Sequence, residues 1–186
     1  MYAALLFSLC ALLAVDARTD WMLATHTRAM SPAARDLLHL ALSRSTIVRG
    51  LVNELERSDV IVLVMVSNEL VTASRRPHMR FLGPAADARY VVVQMYSVSE
   101  PPVMQIPMLA HELRHALELA GAPEVRDGES FVRLFATIGW RVGRHKFETN
   151  AARLTEALVR QELARPWNGE AAAAKPQVHA GGRSLP

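Results

Sequence analysis

The alternation of apolar and polar positions divides the central part of the chain into helices and strands. In SPAARDLLHLALSRS, Leu37, Leu38, Ala41 and Leu42 recur at helical spacing behind an N-cap serine and a proline. The next segment, STIVRGLVNELERS, keeps that spacing. The pattern then changes to runs rich in β-branched residues, which predict three strands. These strands are 59–67, 79–83 and 88–97, the last two joined as a hairpin.

Helical spacing returns after Pro102. We expect a helix from about 103 to 120, with Pro107 near its true start and Gly121 at its end. Two further helices are predicted in ESFVRLFATIGW and FETNAARLTEALVRQELA. The chain is therefore predicted to be α+β, with a small three-stranded sheet backed by helices in one domain over 31–165.

The two ends of the chain differ from this domain. AALLFSLCALLAV carries no charge and, with thirteen residues, is too short for a bilayer, which needs about 20. It matches the apolar region of a signal peptide, so we expect 1–17 to be removed near Ala17 and 18–30 to be a linker or N-terminal arm. The mature protein would be secreted or periplasmic, without a stable membrane span. A buried N-terminal helix and an uncleaved membrane anchor are the alternatives. The segment 166–186 is expected to be disordered.

Composition narrows the chemistry. The net charge is only +3, arginines are spread along the chain and 6% of residues are aromatic, so we expect no nucleic-acid partner. The single cysteine, Cys10, lies in the apolar N-terminal segment, which excludes disulfides and cysteine-based metal sites. A metal would have to be bound by His, Asp or Glu.

LAHELRHALELAG contains His111, Glu112 and His115. A helix advances 100° per residue, so His115 lies about 40° around from His111 and about 6 Å further along the axis. Both imidazoles can therefore bind one ion, for which we predict Zn²⁺. Glu112 lies on the flank, where it can act as general base and then general acid on a water molecule.

This segment resembles the HExxH motif of the zincin metalloproteases. The chain as a whole also resembles a group of uncharacterised secreted bacterial proteins, through segments that occur in the same order. These are SDVIVLV, RFLG, RYVVVQ, HELRHALE, APEVRD, IGW and FETNAA. The resemblance implies a zincin-like fold with a small sheet behind a central motif helix. One position departs from the zincin pattern, because Arg114 stands where uncharged residues are usual.

A catalytic zinc usually has three protein ligands and one open position. No third histidine follows in ALELAGAPEVRD, so the resemblance favours the gluzincin branch, in which a glutamate of a later helix completes the site. Glu148, expected to open the last helix ahead of Ala151 and Ala152, is the first choice. Glu129, at the start of the intermediate helix, is the main alternative, and its other role is to stabilise the first helical turn.

Three other residues lie near the motif in sequence. Glu118 is one turn beyond His115, so we expect it to support the site or to pair with Arg114 rather than to bind the ion. Arg114 is expected close to the metal-facing side of the helix. His145 is the only other nearby histidine, and a position in a loop beside Lys146 favours a solvated side chain.

Two functions remain open at this point. One is a secreted zinc-dependent hydrolase of the peptidase class, whose peptide or protein substrate pairs with the edge of the strand 88–97. The other is a non-catalytic extracytoplasmic domain that binds a partner or a structural metal.

Overall fold

The computed structural model describes residues 25–67, 76–96, 101–143 and 146–165. The predicted signal peptide, most of the predicted linker, His145 and the segment 166–186 lie outside these ranges. None of the helices within them has the length and apolar character needed to cross a membrane.

The described ranges contain five α-helices and six strands. The helices are α1 (Pro32–Arg44), α2 (Thr46–Leu55), α3 (Ile106–Ala120), α4 (Gly128–Ile138) and α5 (Asn150–Leu163). The strands are β1 (Thr27–Ala29), β2 (Val60–Ser67), β3 (His78–Ala85), β4 (Ala88–Tyr96), β5 (Trp140–Gly143) and β6 (Lys146–Glu148). A short 3-10 helix, Pro102–Gln105, precedes α3. The predicted α+β class is confirmed.

The main sheet has four strands rather than the three predicted, in the order β1-β2-β4-β3. β1 and β4 both pair with β2 in parallel, and β3 pairs with β4 antiparallel. The additional strand comes from the predicted linker. It has only three residues, too few to show a period, and the Glu56 carboxylate holds its entry by accepting hydrogen bonds from the backbone N–H groups of Thr25 and His26 at 3.0 and 2.7 Å.

The sheet order also corrects the predicted peptide-binding edge. The strand 88–97 corresponds to β4, which lies between β2 and β3. Its backbone groups are therefore already paired on both sides, and only β1 and β3 are edge strands of this sheet.

The core joins the sheet to the first three helices. Valines of β2 and β4 are fully buried together with leucines and alanines of the helices, because each helix presents an apolar stripe to the sheet. The fully buried residues include Val62, Val64, Val91, Val93, Leu109 and Leu113. The motif helix α3 is thus packed in the core, and this packing fixes the backbone positions of its two histidines.

A buried arginine of β4 ties the C-terminal end of α3 to the sheet. Arg89 is fully buried, and its Nε and Nη2 donate to the Asp59 carboxylate at 2.8 and 2.6 Å. Its Nη1 donates to the carbonyl oxygens of Leu119 and Ala122 at 2.9 and 2.6 Å, where a helix end leaves carbonyl groups unsatisfied. The hydrogen bonds from Arg89 lower the pKa of Asp59 despite its partial burial.

The hairpin β5–β6 was not predicted. The sequence pattern extends the fourth helix to Trp140 and begins the last helix at Phe147, and both boundaries are wrong. α4 ends at Ile138, and α5 begins at Asn150 behind Thr149, whose hydroxyl caps the helix by accepting from the Ala152 N–H. Short strands with few buried residues give no period by which they can be recognised.

Gly139 allows the two strands of this hairpin to approach each other at its base. A Cβ atom added at this position would lie 2.1 Å from the carbonyl oxygen of Glu148 and 2.9 Å from a methyl group of Thr149. Only glycine fits such a close backbone approach. The glycine therefore fixes the place of Glu148 beside the motif helix.

Candidate metal centre

The two motif histidines lie side by side on α3. Their ring centroids are 4.9 Å apart and their planes are nearly perpendicular, at 81°. His115 is buried, with 4% of its surface exposed. Its ring is nearly perpendicular to that of Phe135, and the two ring centroids are 5.4 Å apart. His111 is less deeply placed and lines an open cavity. The helix therefore places the two rings beside each other, as predicted.

Glu148 reaches the histidines from β6. Its Oε1 lies 3.3 Å from His111 Nε2. That distance is close to the edge of a tetrahedron with metal–ligand bonds of about 2.0–2.1 Å, which is about 3.3–3.4 Å. One ligand atom each from His111, His115 and Glu148 lies within 4.8 Å of the others, so this group could hold a metal ion. The expectation that Glu148 opens the last helix is wrong, since it ends the strand two residues earlier.

Each histidine is oriented by a carboxylate on its other ring nitrogen. His111 Nδ1 lies 3.0 Å from Glu156 Oε2, and His115 Nδ1 lies 2.8 Å from Glu118 Oε2. A proton on each Nδ1 would be donated to these oxygens and would leave both Nε2 atoms free as ligands. Carboxylates that hold metal-binding histidines in this way fix the tautomer and increase the basicity of the ligand.

Glu118 and Thr149 connect the motif helix to the segment that carries Glu148. The second carboxylate oxygen of Glu118 accepts a hydrogen bond from the Thr149 hydroxyl at 2.7 Å. Thr149 directly follows Glu148 in the chain and caps α5. One carboxylate therefore orients His115 and also anchors the residue next to the third candidate ligand.

His115 Nε2 gives a test of whether the group suits a metal. This atom is buried and has no hydrogen-bond partner in the part of the chain that the structure describes. A buried polar atom without a partner is costly. A divalent ion between His115 Nε2, His111 Nε2 and Glu148 would satisfy it, so the residues fit a metal by their chemistry and their position.

The charged groups around His111 shift the pKa values of one another. The hydrogen bond from His111 lowers the pKa of Glu156 to about 2, against the opposing effect of burial and with help from Arg160. For His111 itself, burial alone would lower the pKa, but the hydrogen bond to Glu156 and the charges of Glu112 and Glu148 raise it overall. The cluster thus has enough negative charge to attract a cation.

Glu112 lies beside the two imidazoles, with 5% of its surface exposed. Burial raises the pKa of its carboxyl group, while the charges of His115 and His111 work in the opposite direction. Glu112 lines the same cavity as both histidines. It therefore occupies the flanking position predicted from the helix geometry.

The remaining predicted residues have other surroundings. Glu129 is exposed and pairs with Arg133 on α4, and this alternative third ligand is not part of the group that could hold a metal ion. Arg114 does not line the cavity, and its buried Nε has no hydrogen-bond partner among the described residues. The considered Arg114–Glu118 pair is not formed, because the oxygens of Glu118 accept from His115 and Thr149. The departure from the zincin pattern at Arg114 therefore does not obstruct the site.

Glu156 was missed at the sequence level. It lies in α5 one turn before Arg160, with which it pairs at 2.6 Å, and such a spacing usually marks a solvated helix face. Its contact with His111 joins residues 45 positions apart. Only the packing of α5 against α3, for which the small Ala152 is fully buried, brings the two together.

The histidines open into a cavity of about 500 Å³. One part of its lining is apolar and consists of Met108, Phe131, Phe135, Val142 and Phe147. Another part is basic and consists of Arg76, His78, Lys146 and Arg160. No protein family, curated protein or solved structure matches the chain.

Proposed function

We propose that this protein is a zinc-dependent hydrolase that cleaves peptide bonds at the His111–His115–Glu148 group. The observation that carries the proposal is the convergence of these three ligand groups at a cavity while a fourth residue, Glu112, stays beside them. Two nitrogen ligands, one oxygen ligand and an open side suit a catalytic zinc rather than a closed structural site. The sequence resemblance to zincins supports the same class.

The ion, when bound, supplies a Lewis acid that polarises the carbonyl group and makes a water molecule acidic enough to react near neutral pH. Glu112 takes a proton from the attacking water while the water oxygen forms a bond to the carbonyl carbon. The carbon–nitrogen bond then breaks, and Glu112 passes the proton to the departing amine. Its burial and raised pKa suit a group that must both accept and donate a proton.

Glu156 and Glu118 have positioning roles in this proposal. Each holds the Nδ1 side of one histidine, so that the two Nε2 atoms face the same point. The protein would work outside the cytoplasm if the N-terminal segment is removed as a signal peptide, which stays a prediction from the sequence.

The test uses the wild type and two glutamate variants after reconstitution with one equivalent of zinc. Glu112→Gln should keep stoichiometric zinc, measured by elemental analysis, and should lose hydrolysis of a quenched-fluorescent peptide pool by at least about 100-fold. Glu129→Gln is the matched control and should behave as wild type, because Glu129 is exposed and outside the cavity.

Two results would overturn the proposal. Full activity in Glu112→Gln would remove the proposed general base. Failure of the wild type to bind zinc would remove the metal centre. Zinc binding without any hydrolysis would instead favour the alternative of a non-catalytic domain in which the ion clamps α3 to β6.

A further inference from the structure

The carboxylates that line the cavity are all engaged at the metal group. Glu148 contacts His111 Nε2, and Glu156 contacts both His111 and Arg160. Glu112 is buried, lines the same cavity and interacts electrostatically with both imidazoles. Among the described lining residues, no further carboxylate is left to bind the ammonium group of a substrate.

Arg76, in the basic part of the lining, differs in this respect. Arg76 is exposed at the cavity, and no described carboxylate lies within ion-pair distance of its guanidinium group. Lys146 and Arg160 add positive charge to the same lining. With a divalent cation bound as well, positive charge exceeds negative charge in the cavity. Such a field attracts anionic ligands and repels cationic ones.

The apolar part of the lining lies directly beside a candidate ligand. Phe135 contacts the ring of His115 at 5.4 Å, and Phe131 and Phe147 lie 4.8 and 6.1 Å from Phe135. Phe135 is almost fully buried, and the half-buried rings of Phe131 and Phe147 pack on it, so these two rings present a preformed apolar wall to the cavity. A large apolar side chain against this wall would be held close to the reacting bond.

We propose that the site binds peptides that place a carboxylate on Arg76 and a large apolar side chain on the wall formed by Phe131 and Phe147, behind which Phe135 is buried. This inference rests on the proposed function, whose substrate class it specifies. It disfavours an aminopeptidase, because none of the described lining carboxylates is left for the terminal ammonium group of such a substrate. The carboxylate can be the C-terminus of the peptide or an acidic side chain.

The experiment measures binding rather than turnover, on the zinc-loaded Glu112→Gln protein, by fluorescence anisotropy. The probes are hexapeptides whose N-terminal amine is blocked by the fluorescent label. One contains a phenylalanine and a free C-terminal carboxylate, and the second is its C-terminal amide. The third is the amide with an internal glutamate, and the fourth replaces phenylalanine by serine in the free acid.

The free acid or the glutamate peptide should bind about tenfold more tightly than the plain amide, as a charge-assisted hydrogen bond to arginine would give. Whichever of the two shows the preference identifies the source of the carboxylate. Adding Arg76→Gln should reduce this ratio to about one. Adding Arg80→Gln should preserve it, because Arg80 is exposed on β3, which begins two residues after Arg76, but does not line the cavity. The serine peptide should bind at least about tenfold more weakly.

Equal binding of the acid, the glutamate peptide and the amide overturns the inference, as does a preference that survives Arg76→Gln. Absence of binding by every probe overturns it too. The proposed hydrolase function has a separate readout, because it fails if the zinc-loaded wild type cleaves none of the four peptides even though the preference is present.

Discussion

Gly139→Ala should weaken metal binding although it replaces none of the candidate ligands. The added Cβ would lie 2.1 Å from the Glu148 carbonyl oxygen, where Cβ atoms in proteins keep at least 3.0 Å. The backbone of Glu148 must therefore move by roughly 0.9 Å, since the clash is with main-chain atoms and not with a flexible side chain. Metal–ligand distances tolerate only about 0.2 Å.

A displacement of this size would take Glu148 out of reach of the proposed metal ion, so the loss should exceed the 10–100-fold that supporting residues around a metal contribute. We expect zinc affinity to fall by at least about 100-fold, or about 2.7 kcal/mol. The assay is competition with a chromogenic zinc chelator, accompanied by circular dichroism to establish that the fold is retained.

Gly50→Ala is the matched control. No atom lies within 4 Å of a Cβ added there, and Gly50 is inside α2, so alanine should stabilise the protein by up to about 1 kcal/mol and leave zinc affinity unchanged. A folded Gly139→Ala protein with wild-type affinity would refute the reasoning that this glycine positions the third ligand.

Three further predictions follow from the same contacts. Glu156→Gln should lower zinc affinity about 10–100-fold, because His111 loses the carboxylate on Nδ1, and chelator competition would contradict this if affinity were unchanged. Asp59→Asn should lower the free energy of unfolding by about 2–3 kcal/mol at pH 7, measured in urea, because Arg89 stays buried. Since folding lowers the pKa of Asp59 from 3.8, its contribution is complete above that pH and is lost as pH falls through the lower folded value, so the two unfolding curves should converge in acid. Zinc at 1,000 times its dissociation constant should stabilise the wild type by about 4 kcal/mol and raise its melting temperature, and a chelator should reverse this rise. The melting temperature of His115→Ala should not change when zinc is added.

The local features of the motif helix were predictable from the sequence. Pro107 lies in its first turn and Gly121 ends it, since both positions follow from backbone chemistry within a few residues. The relation of His111, Glu112 and His115 follows from the helical period alone. These predictions hold because each depends on interactions inside one helix.

The features that depend on packing were not predictable in the same way. β1 has three residues and is a strand only because β2 pairs with it. The β5–β6 hairpin depends on the close approach at Gly139, which no local pattern indicates. Glu156 becomes part of the site through the packing of α5 on α3.

Glu148 combines a feature that was predictable from the sequence with one that depends on packing. Glu148 was predicted to be the third ligand because its segment resembles the gluzincin pattern, in which the glutamate lies on a helix. The structure places it on a strand, where a hairpin and not a helical turn brings it to His111. The presence of a Glu148 carboxylate beside the motif histidines was therefore predictable from residue type and the motif, whereas the strand that carries Glu148 was not.

Diffraction at the zinc absorption edge, from crystals grown with one equivalent of zinc, tests the central claim most directly. We predict a single strong anomalous peak about 2.0–2.2 Å from His111 Nε2, His115 Nε2 and a carboxylate oxygen of Glu148, with one position open to the cavity. A peak on other residues, or none at these three, would contradict the account.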